Sequence, residues 1–311
     1  MPNYGDWQLS IYFNGLDGVR PELPMSFADL ERRAEAEMTE QLWSYVAGGA
    51  GDERTQRANV AAFDRWGLVP RVLAGAAERD LHVDLFGTRL PTPLLLAPVG
   101  VIGIIDPDGH GDVLTARAAA SSGVPMVAST LMEDPLEVVA AELGETPGWF
   151  QLYPPKDREL CESFVRRAEA AGYSAIVVTL DTLTLGWRPR DLTIASFPQL
   201  QGLCLANYFS DPVFRAQLAV PPEEDVSAAT GLWAMSFGNP GLGWDDLGGC
   251  GPSPPCPCCS RACATPTTPG GPSTSASTAS TAPPTAAGRP TAACRRSSAS
   301  RASSTWPATR R

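Results

Sequence analysis

The sequence predicts an α/β fold of the (β/α)8-barrel type, preceded by an N-terminal helical cap. The prediction rests on four short apolar runs separated by helical patterns, because strands that are apolar on both faces are typical of parallel sheets. Right-handed crossovers between such strands give either a closed barrel or an open doubly wound sheet. The four runs, about half of a barrel, are Leu94–Gly100, Val124–Thr130, Gly148–Tyr153 and Ala175–Asp181.

Polar side chains near the carboxyl ends of these runs favour the barrel over the open sheet. Ser129, Gln151 and Thr179 each stand near the end of an otherwise apolar run. A barrel builds its site at this face, from the ends of several strands. No G-x-G-x-x-G motif follows the first run, which argues against a dinucleotide-binding unit.

The run Gly148–Tyr153 carries an amide and a phenol on one face. Side chains alternate along a strand, so Gln151 and Tyr153 point the same way and Phe150 points the other way. Buried polar groups need partners, which are either polar neighbours in a core or a ligand. The strand taken alone favours a core role and leaves both open.

The first part of the chain, residues 1–92, is predicted to form the helical cap. A helix is expected over Met25–Val46, with Ser26 as its N-cap, and another over Thr55–Trp66. The glycine-rich stretch Ser44–Glu53 separates them, and Leu81–Leu85 is predicted to be a strand of a small hairpin.

Residues 93–247 are predicted to hold the first half of the barrel. Its helices are expected at Asp112–Ser122, Leu136–Leu143 and Arg158–Ala171. Asp191–Gly243 is predicted to be irregular, so that residues 192–243 form a long insertion of the kind that serves as a lid or an oligomer contact.

Charge and hydropathy limit the partners and the compartment. Up to Leu247 the chain has 17 basic and 34 acidic residues, a net charge of −17 that disfavours nucleic-acid binding. No apolar run reaches the roughly 18 residues of a membrane span. The start of the chain lacks a secretory pattern, so we expect a cytoplasmic protein.

Arginine and histidine side chains are further candidates for site residues. Arg188 and Arg190 flank a proline just beyond the fourth run, and arginine suits bidentate binding of a carboxylate; solvated surface arginines are the alternative. His82 and His110 are the only histidines. Each stands apart from cysteine or acidic residues at metal spacing, so both are interpreted as structural and no metal site is expected.

Six segments stand in the order and spacing of the FMN-dependent 2-hydroxy-acid oxidases, so residues 4–247 resemble that family. The glycine at position 100 and the stretch Gly202–Tyr208 resemble the branch that converts lactate and O2 into acetate, carbon dioxide and water. A lactate- or glycolate-type oxidase or dehydrogenase is the alternative. The six segments are Ser44–Glu53, Ala97–Gly100, Ala128–Thr130, Trp149–Tyr153, Val178–Thr182 and Gly186–Asp191.

The resemblance implies FMN as cofactor, a small L-2-hydroxy acid and O2 as substrates, and a homo-oligomer. It places Pro98, Val99 and Gly100 along the flavin ring and implies hydrogen bonds from three residues to the ring's polar edge. Three further side chains would hold the substrate carboxylate and hydroxyl. The hydrogen-bonding set is Ser129, Gln151 and Thr179, and the substrate set is Tyr45, Tyr153 and Arg188.

The family pattern also requires a lysine, a histidine base and an arginine from the second half of the barrel. The sequence has one lysine, Lys156, and no histidine after His110. As written, the chain is therefore expected to be inactive, a broken barrel without its base.

Residues 248–311 differ in composition from everything before them. They contain seven arginines, six of the eight cysteines and no acidic residue or lysine. One choice of codons for Cys256–Arg295 gives a neighbouring frame that contains a strand ending in lysine and a His-Gly-Gly-Arg motif. We interpret the tail as read out of frame and expect it to be disordered. The alternatives are a metal site at Cys256, Cys258, Cys259 and Cys263, a glycosylated stalk, and a nucleic-acid-binding tail.

Overall fold

The computed structural model describes residues 5–73, 75, 78, 80–243, 246 and 262–265. The chain divides into two compact units, one of Met1–Gly48 with Arg190–Ser196 and one of Gly49–Pro189 with Phe197–Arg311. The predicted segments 1–92, 93–247 and 248–311 stay a prediction of domain organisation. Within the described part, no helix has the length and apolar character needed to cross a membrane.

The first unit is helical. It contains α1 (Asp6–Leu16), α2 (Phe27–Glu37) and α3 (Glu40–Ala47). The predicted N-cap is confirmed, since the Asp29 amide donates to Ser26 Oγ at 3.2 Å. The single helix predicted over residues 25–46 is wrong, because Met38 is extended and Thr39 starts a new helix by accepting from the Leu42 amide.

The second unit begins with a helix and a hairpin, as predicted. The helix α4 (Arg54–Ala62) continues into a 3-10 turn, Phe63–Arg65. The strands β1 (Val83–Leu85) and β2 (Thr88–Leu90) pair antiparallel.

A four-stranded parallel sheet forms the centre of the second unit. Its strands lie in the order β3, β4, β5, β6; along the chain α5 precedes β3, α6 lies between β3 and β4, and α7 lies between β4 and β5. The predicted parallel arrangement is confirmed for the described strands. The strands are β3 (Met126–Ala128), β4 (Gly148–Leu152), β5 (Ile176–Thr179) and β6 (Ala262–Thr265), and the helices are α5 (Gly111–Ser122), α6 (Leu136–Leu143) and α7 (Arg158–Ala170).

The first predicted strand is reduced to a single bridge between Leu96 and Met126. Leu96 donates to Pro125 O at 2.8 Å and accepts from the Val127 amide at 2.9 Å, so the run lies beside β3 where it was expected. The ladder does not extend further in part because Pro93 and Pro98, which flank the bridge, have no amide hydrogen to donate.

The two faces of the sheet carry different side chains. Val127, Trp149 and Val177 share one face, and Phe86 of the hairpin packs on it with its ring 5.2 Å from that of Trp149. Two residues further along the same face, β4 carries Gln151 and β5 ends in Thr179. The hairpin therefore covers the amino-terminal part of this face, and the polar residues lie towards its carboxyl end.

The segment predicted to be irregular contains four short helices and one longer helix. The predicted irregularity is wrong for these stretches, and the role as a lid or an oligomer contact stays a prediction. Its helices of four or five residues are too short to show an apolar period, but side-chain caps start two of the elements, with Asp211 at α10 and Asp225 at α11. The helices are α8 (Pro189–Thr193), a 3-10 turn Pro198–Gln201, α9 (Ala206–Phe209), α10 (Pro212–Arg215) and α11 (Val226–Ser236).

The tail expectation is wrong for the four residues of it that the structure describes. Ala262–Thr265 form β6 and pair in parallel with β5. Without β6 this edge of β5 would present unpaired amide and carbonyl groups, which an extended segment can satisfy whatever its side chains. The rest of the expected disordered tail, with the cysteines of the alternative metal site apart from Cys263, lies outside the described residues.

A buried ion pair joins α7 to the start of α10. Asp211 has no exposed surface and accepts from Ser163 Oγ at 2.8 Å and from Arg167 at 3.1 Å. Its other oxygen accepts from the Val213 and Phe214 amides at 2.9 and 3.3 Å, which starts α10. Arg167 also binds Glu137 through two nitrogens.

Replacing Asp211→Ala should lower the free energy of unfolding by about 3 kcal/mol, because it removes a cap and leaves a largely buried guanidinium short of a partner. Urea unfolding followed by circular dichroism measures this change. Glu223→Ala is the control, since it breaks an ion pair whose carboxylate is 67% exposed and should lower the free energy of unfolding much less. An equal loss in the two variants would contradict the expectation.

Candidate functional site

The candidate site lies at the carboxyl edge of the sheet, where β3, β4 and β5 end side by side. Because the strands are parallel, the last residues of each meet at one edge. Ser129 directly follows β3, Gln151 lies one residue before the end of β4, and Thr179 closes β5. The structure thus brings together three residues that the sequence singled out.

The Gln151 amide joins the three strand ends in one row of hydrogen bonds. Its Oε1 accepts from Ser129 Oγ at 3.2 Å and from the Thr130 amide at 3.1 Å, and its Nε2 donates to Thr179 Oγ1 at 2.8 Å. A backbone amide can only donate, so the Thr130 contact fixes which end of the side-chain amide is oxygen.

Donor capacity is left over in this row. The Gln151 side chain is only 1% exposed, and a primary amide has two hydrogens. Within the described part of the chain, one of them donates to Thr179, whose own hydroxyl hydrogen then remains for another acceptor. Buried donors are normally satisfied, so the row is suited to a ligand with acceptor atoms along one edge.

Thr130 is a site residue to which sequence reasoning gave no role. It is fully buried, and its Oγ1 donates to Gln151 O at 2.6 Å and accepts from the Tyr153 amide at 3.1 Å. It therefore locks the end of β4 to the end of β3. Thr130 belongs to the segment Ala128–Thr130, one of the six that resemble the family. A threonine that follows a serine does not indicate which of the two hydroxyls points inward.

Asn207 is a second residue without a predicted role. It is fully buried on α9; its Nδ2 donates to Thr130 O at 2.9 Å, and its Oδ1 accepts from the Leu136 amide at 2.8 Å. Asn207 thereby holds the turn between β3 and α6. It lies more than 70 residues away in a segment without periodicity, so no local pattern indicated it.

The loop of Pro98, Val99 and Gly100 lies next to the same edge. The Val101 amide donates to Leu131 O at 2.8 Å, which ties the loop to the turn after β3. A Cβ built on Gly100 would lie 3.4 Å from Ser129 Oγ, at the near edge of ordinary contact. Pro98 is half-buried, whereas Val99 is 52% exposed and available to a ligand.

A buried carboxyl group ties α5 to the turn after β3. Asp112 of α5 is 1% exposed and accepts from the Glu133 amide at 3.0 Å. Burial, together with the nearby charges of Asp134 and Glu133, raises the pKa of Asp112 from 3.8 to about 7, against the lowering effect of the Glu133 amide. Glu133 also accepts from the Cys204 amide, and burial raises the pKa of the Cys204 thiol.

The two histidines each contact an aspartate. His110 Nδ1 lies 2.9 Å from Asp134 Oδ1, and its backbone amide donates to Asp106 at 2.9 Å. His82 Nδ1 lies 2.6 Å from Asp80. The turn after β3 brings Asp134 to His110, and the structural interpretation of both histidines stays a prediction. Among the described residues, no group of three His, Cys, Asp or Glu side chains is arranged to hold a metal ion.

The three predicted substrate residues are distributed over both units. Tyr45 is half-buried on α3 of the first unit. Tyr153 follows β4 and is half-buried, with its ring 5.3 Å from that of Phe237. Arg188 is half-buried in the loop after β5, where the neighbouring Trp187 carbonyl accepts from the Gly51 amide at 2.8 Å. Their joint role stays a prediction.

Comparison with known proteins agrees with the family resemblance. The model of the family described as FMN-dependent dehydrogenase matches residues 34–251. An FMN-dependent alpha-hydroxy acid dehydrogenase of Penicillium citrinum is 36% identical over 249 residues, which are 79% of this chain and 61% of that protein. An L-lactate oxidase of Lysinibacillus sphaericus is 38% identical over 224 residues, 72% of this chain and 57% of that protein.

Among solved structures, a mandelate oxidase crystallised with (S)-4-hydroxymandelic acid matches with a TM-score of 0.59 and 33% identity. The match covers 72% of this chain and 60% of that one. This chain therefore spans about three fifths of the length of these relatives.

The raised pKa of Asp112 predicts how stability depends on pH. Its folded pKa of about 7 lies above its ordinary value of 3.8, so the folded state holds the proton more tightly. The free energy of unfolding should fall as the pH rises from about 4 to about 7, by at most about 4 kcal/mol, and level off above. Urea unfolding at several pH values measures it.

Asp112→Asn should flatten that pH dependence, since the amide keeps an acceptor for Glu133 and carries no charge. Asp84→Asn, on an exposed position of β1, is the control and should retain the slope of the unaltered chain. A slope that survives in Asp112→Asn would assign the effect to another group.

Proposed function

Because the chain belongs to the FMN-dependent dehydrogenase family, we propose that it acts as an FMN-dependent oxidoreductase of small L-2-hydroxy acids. The observation that carries the proposal is the row of Ser129, Gln151 and Thr179 across three parallel strand ends, with donors left over on a buried amide. The activity is a proposal, since the chain spans about three fifths of the length of the relatives it matches.

The residues of the carboxyl edge fit the ring of FMN. One edge of a flavin ring presents carbonyl oxygens and ring nitrogens, which are acceptors of the kind that the remaining Gln151 and Thr179 hydrogens would bind. Pro98, Val99 and Gly100 would lie along the ring, where Val99 offers exposed apolar surface. When bound, FMN supplies the acceptor for the two electrons that leave the substrate.

Tyr45, Tyr153 and Arg188 would hold the substrate. A guanidinium binds a carboxylate through two parallel hydrogen bonds, and the phenols can bind the carboxylate and the hydroxyl. Fixing these groups orients the Cα hydrogen towards the ring, and this orientation lowers the barrier by removing freedom before the reaction. O2 is the second substrate in this proposal.

Lactate is the proposed hydroxy acid, and the proposed reaction is that of a lactate 2-monooxygenase, which yields acetate, carbon dioxide and water. The lactate oxidase relative supports the substrate. Gly100 supports the branch through the family resemblance; a methyl group at this position would lie 3.4 Å from Ser129 Oγ, at the near edge of ordinary contact. A mandelate-type enzyme is the second candidate, favoured by the mandelate oxidase structure.

The chain as written is proposed to lack catalysis. A hydroxyl proton must leave with the hydride, and the sequence has no histidine after His110, whose ring contacts Asp134. Loss of a general base alone typically lowers a rate about a hundred- to ten-thousand-fold.

We further propose that the gene changes frame near Leu247. The loss of all acidic residues after this point and the family-like neighbouring frame of residues 256–295 support it. Reading the gene across codons 240 to 260 tests it. One uninterrupted frame whose codons do not encode the His-Gly-Gly-Arg motif in a neighbouring frame would refute the proposal.

FMN binding tests the row of hydrogen bonds. Adding the 311-residue chain to FMN should quench flavin fluorescence, and Gln151→Leu or Thr179→Val should weaken binding about tenfold through the loss of one buried hydrogen bond. Thr115→Val is the matched control, because Thr115 bonds Gly111 O on α5, away from the edge. Quenching that is equally weak in all three variants would point to misfolding rather than to a lost contact.

The visible spectrum tests the proposed inactivity. L-lactate added without oxygen to the FMN-loaded chain should shift the flavin band on binding but should not bleach the absorbance near 450 nm, because loss of the general base lowers the rate of flavin reduction by about two or more orders of magnitude. A gene restored to the neighbouring frame should give a protein whose absorbance bleaches. Bleaching by the 311-residue chain itself would overturn the inactive assignment.

A further inference from the structure

The ring of Tyr153 rests on the end of α11. Phe237, the residue that closes this helix, meets the Tyr153 ring edge-on with centroids 5.3 Å apart. Phe237 in turn packs 5.1 Å from the ring of Trp233, which is 3% exposed. The orientation of Tyr153 therefore depends on where the end of α11 sits.

The end of α11 is fastened to the loop after β4 by Lys156. Its Nζ donates to Met235 O at 2.8 Å, and its backbone amide donates to Ser236 O at 3.0 Å. Carbonyls in the last turn of a helix lack partners within the helix, and the partial negative charge there favours a cation. The one lysine of the sequence thus binds the carboxyl end of α11, at a carbonyl two residues before Phe237.

Two further contacts keep the turn after α11 against the strand ends. Asn239 Nδ2 lies 3.5 Å from Pro155 O, in the loop after β4. Gly238 has a φ of 74°, and a Cβ built there would lie 3.2 Å from Leu183 O, in the loop after β5. The turn of residues 235–239 therefore touches the loops that follow both β4 and β5.

We propose that Lys156 is a positioning residue for the substrate: by clamping the end of α11 it holds Phe237 against Tyr153, and so fixes the phenol that meets a 2-hydroxy acid. The inference rests on the proposed function only for the identity of the ligand. Lys156 touches neither substrate nor cofactor in this proposal and acts through Phe237. Asp157 next to it caps α7 and contacts Gln217, which sets the course of the same loop.

The first test needs no ligand. In Lys156→Met, amide hydrogen exchange over residues 233–239 and nitration of the Tyr153 ring by tetranitromethane should each rise about three- to tenfold, the range expected for one charge-assisted bond at a helix end. Lys156→Arg should restore both, because a guanidinium can reach the same carbonyl. Unchanged exchange and nitration in Lys156→Met would overturn the clamp.

Arg166→Met is the matched control. It removes the same charge from α7, where Arg166 is 62% exposed and pairs at 3.6 Å with Glu162. It should alter neither measurement. Thermal unfolding of all variants shows whether any of them has lost the fold as a whole.

The second test adds the ligand. L-lactate titrated into the FMN-loaded chain should perturb the flavin spectrum, and Lys156→Met should raise its dissociation constant about three- to tenfold without changing that of FMN. Lys156→Arg should return it to the original value. Equal lactate affinity in the Met variant and the unaltered chain would overturn the positioning role even if the clamp is real.

The two tests separate this inference from the function it rests on. An unaltered chain that holds FMN but does not respond to lactate would refute the substrate half of the proposed function, and the positioning role with it. The ligand-free test would then still decide whether Lys156 fixes Tyr153 through Phe237.

Discussion

The structure of the site depends on one buried amide. Gln151 satisfies its oxygen with two donors from the turn after β3 and gives one hydrogen to Thr179 of β5. A buried primary amide needs hydrogen-bond partners, and the parallel register supplies them from both neighbouring strands. The three strand ends are therefore aligned by side chains as well as by the ladder, and a ligand meets an edge whose donors already point in fixed directions.

Much of this edge could be predicted from the sequence. Apolar runs with a polar residue near each end predicted where the parallel strands would lie, and the residues that meet were those singled out. What could not be predicted has physical reasons. Thr130 and Asn207 act through contacts across loops. Threonine and asparagine are also common in solvent-exposed turns, so their residue types alone do not indicate a site. Met38 breaks a helix without a glycine or proline, because the Thr39 cap competes with continuation.

The segment after β5 shows the same limit more clearly. Four-residue helices such as α9 and α10 carry too few turns for an apolar period, so pattern alone predicted no structure there. Their order comes instead from buried polar contacts, namely Asn207 to the turn after β3 and Asp211 to Arg167. The structure of a segment that is held by tertiary hydrogen bonds can be predicted only when the partners of those bonds are known. Conversely, α6 matched its predicted bounds because it is an eight-residue helix with a buried apolar face of Leu136, Val139 and Leu143.

The pairing of β6 with β5 has a consequence for how this sheet could be completed. β6 pairs with β5 through backbone hydrogen bonds over four residues. This pairing depends on the direction of the added strand and not on its side chains. An edge of this kind does not discriminate between continuations of the same chain and an extended segment supplied in trans. Completion of the sheet along this edge therefore depends less on backbone pairing than on the chemistry of the side chains that an added strand carries.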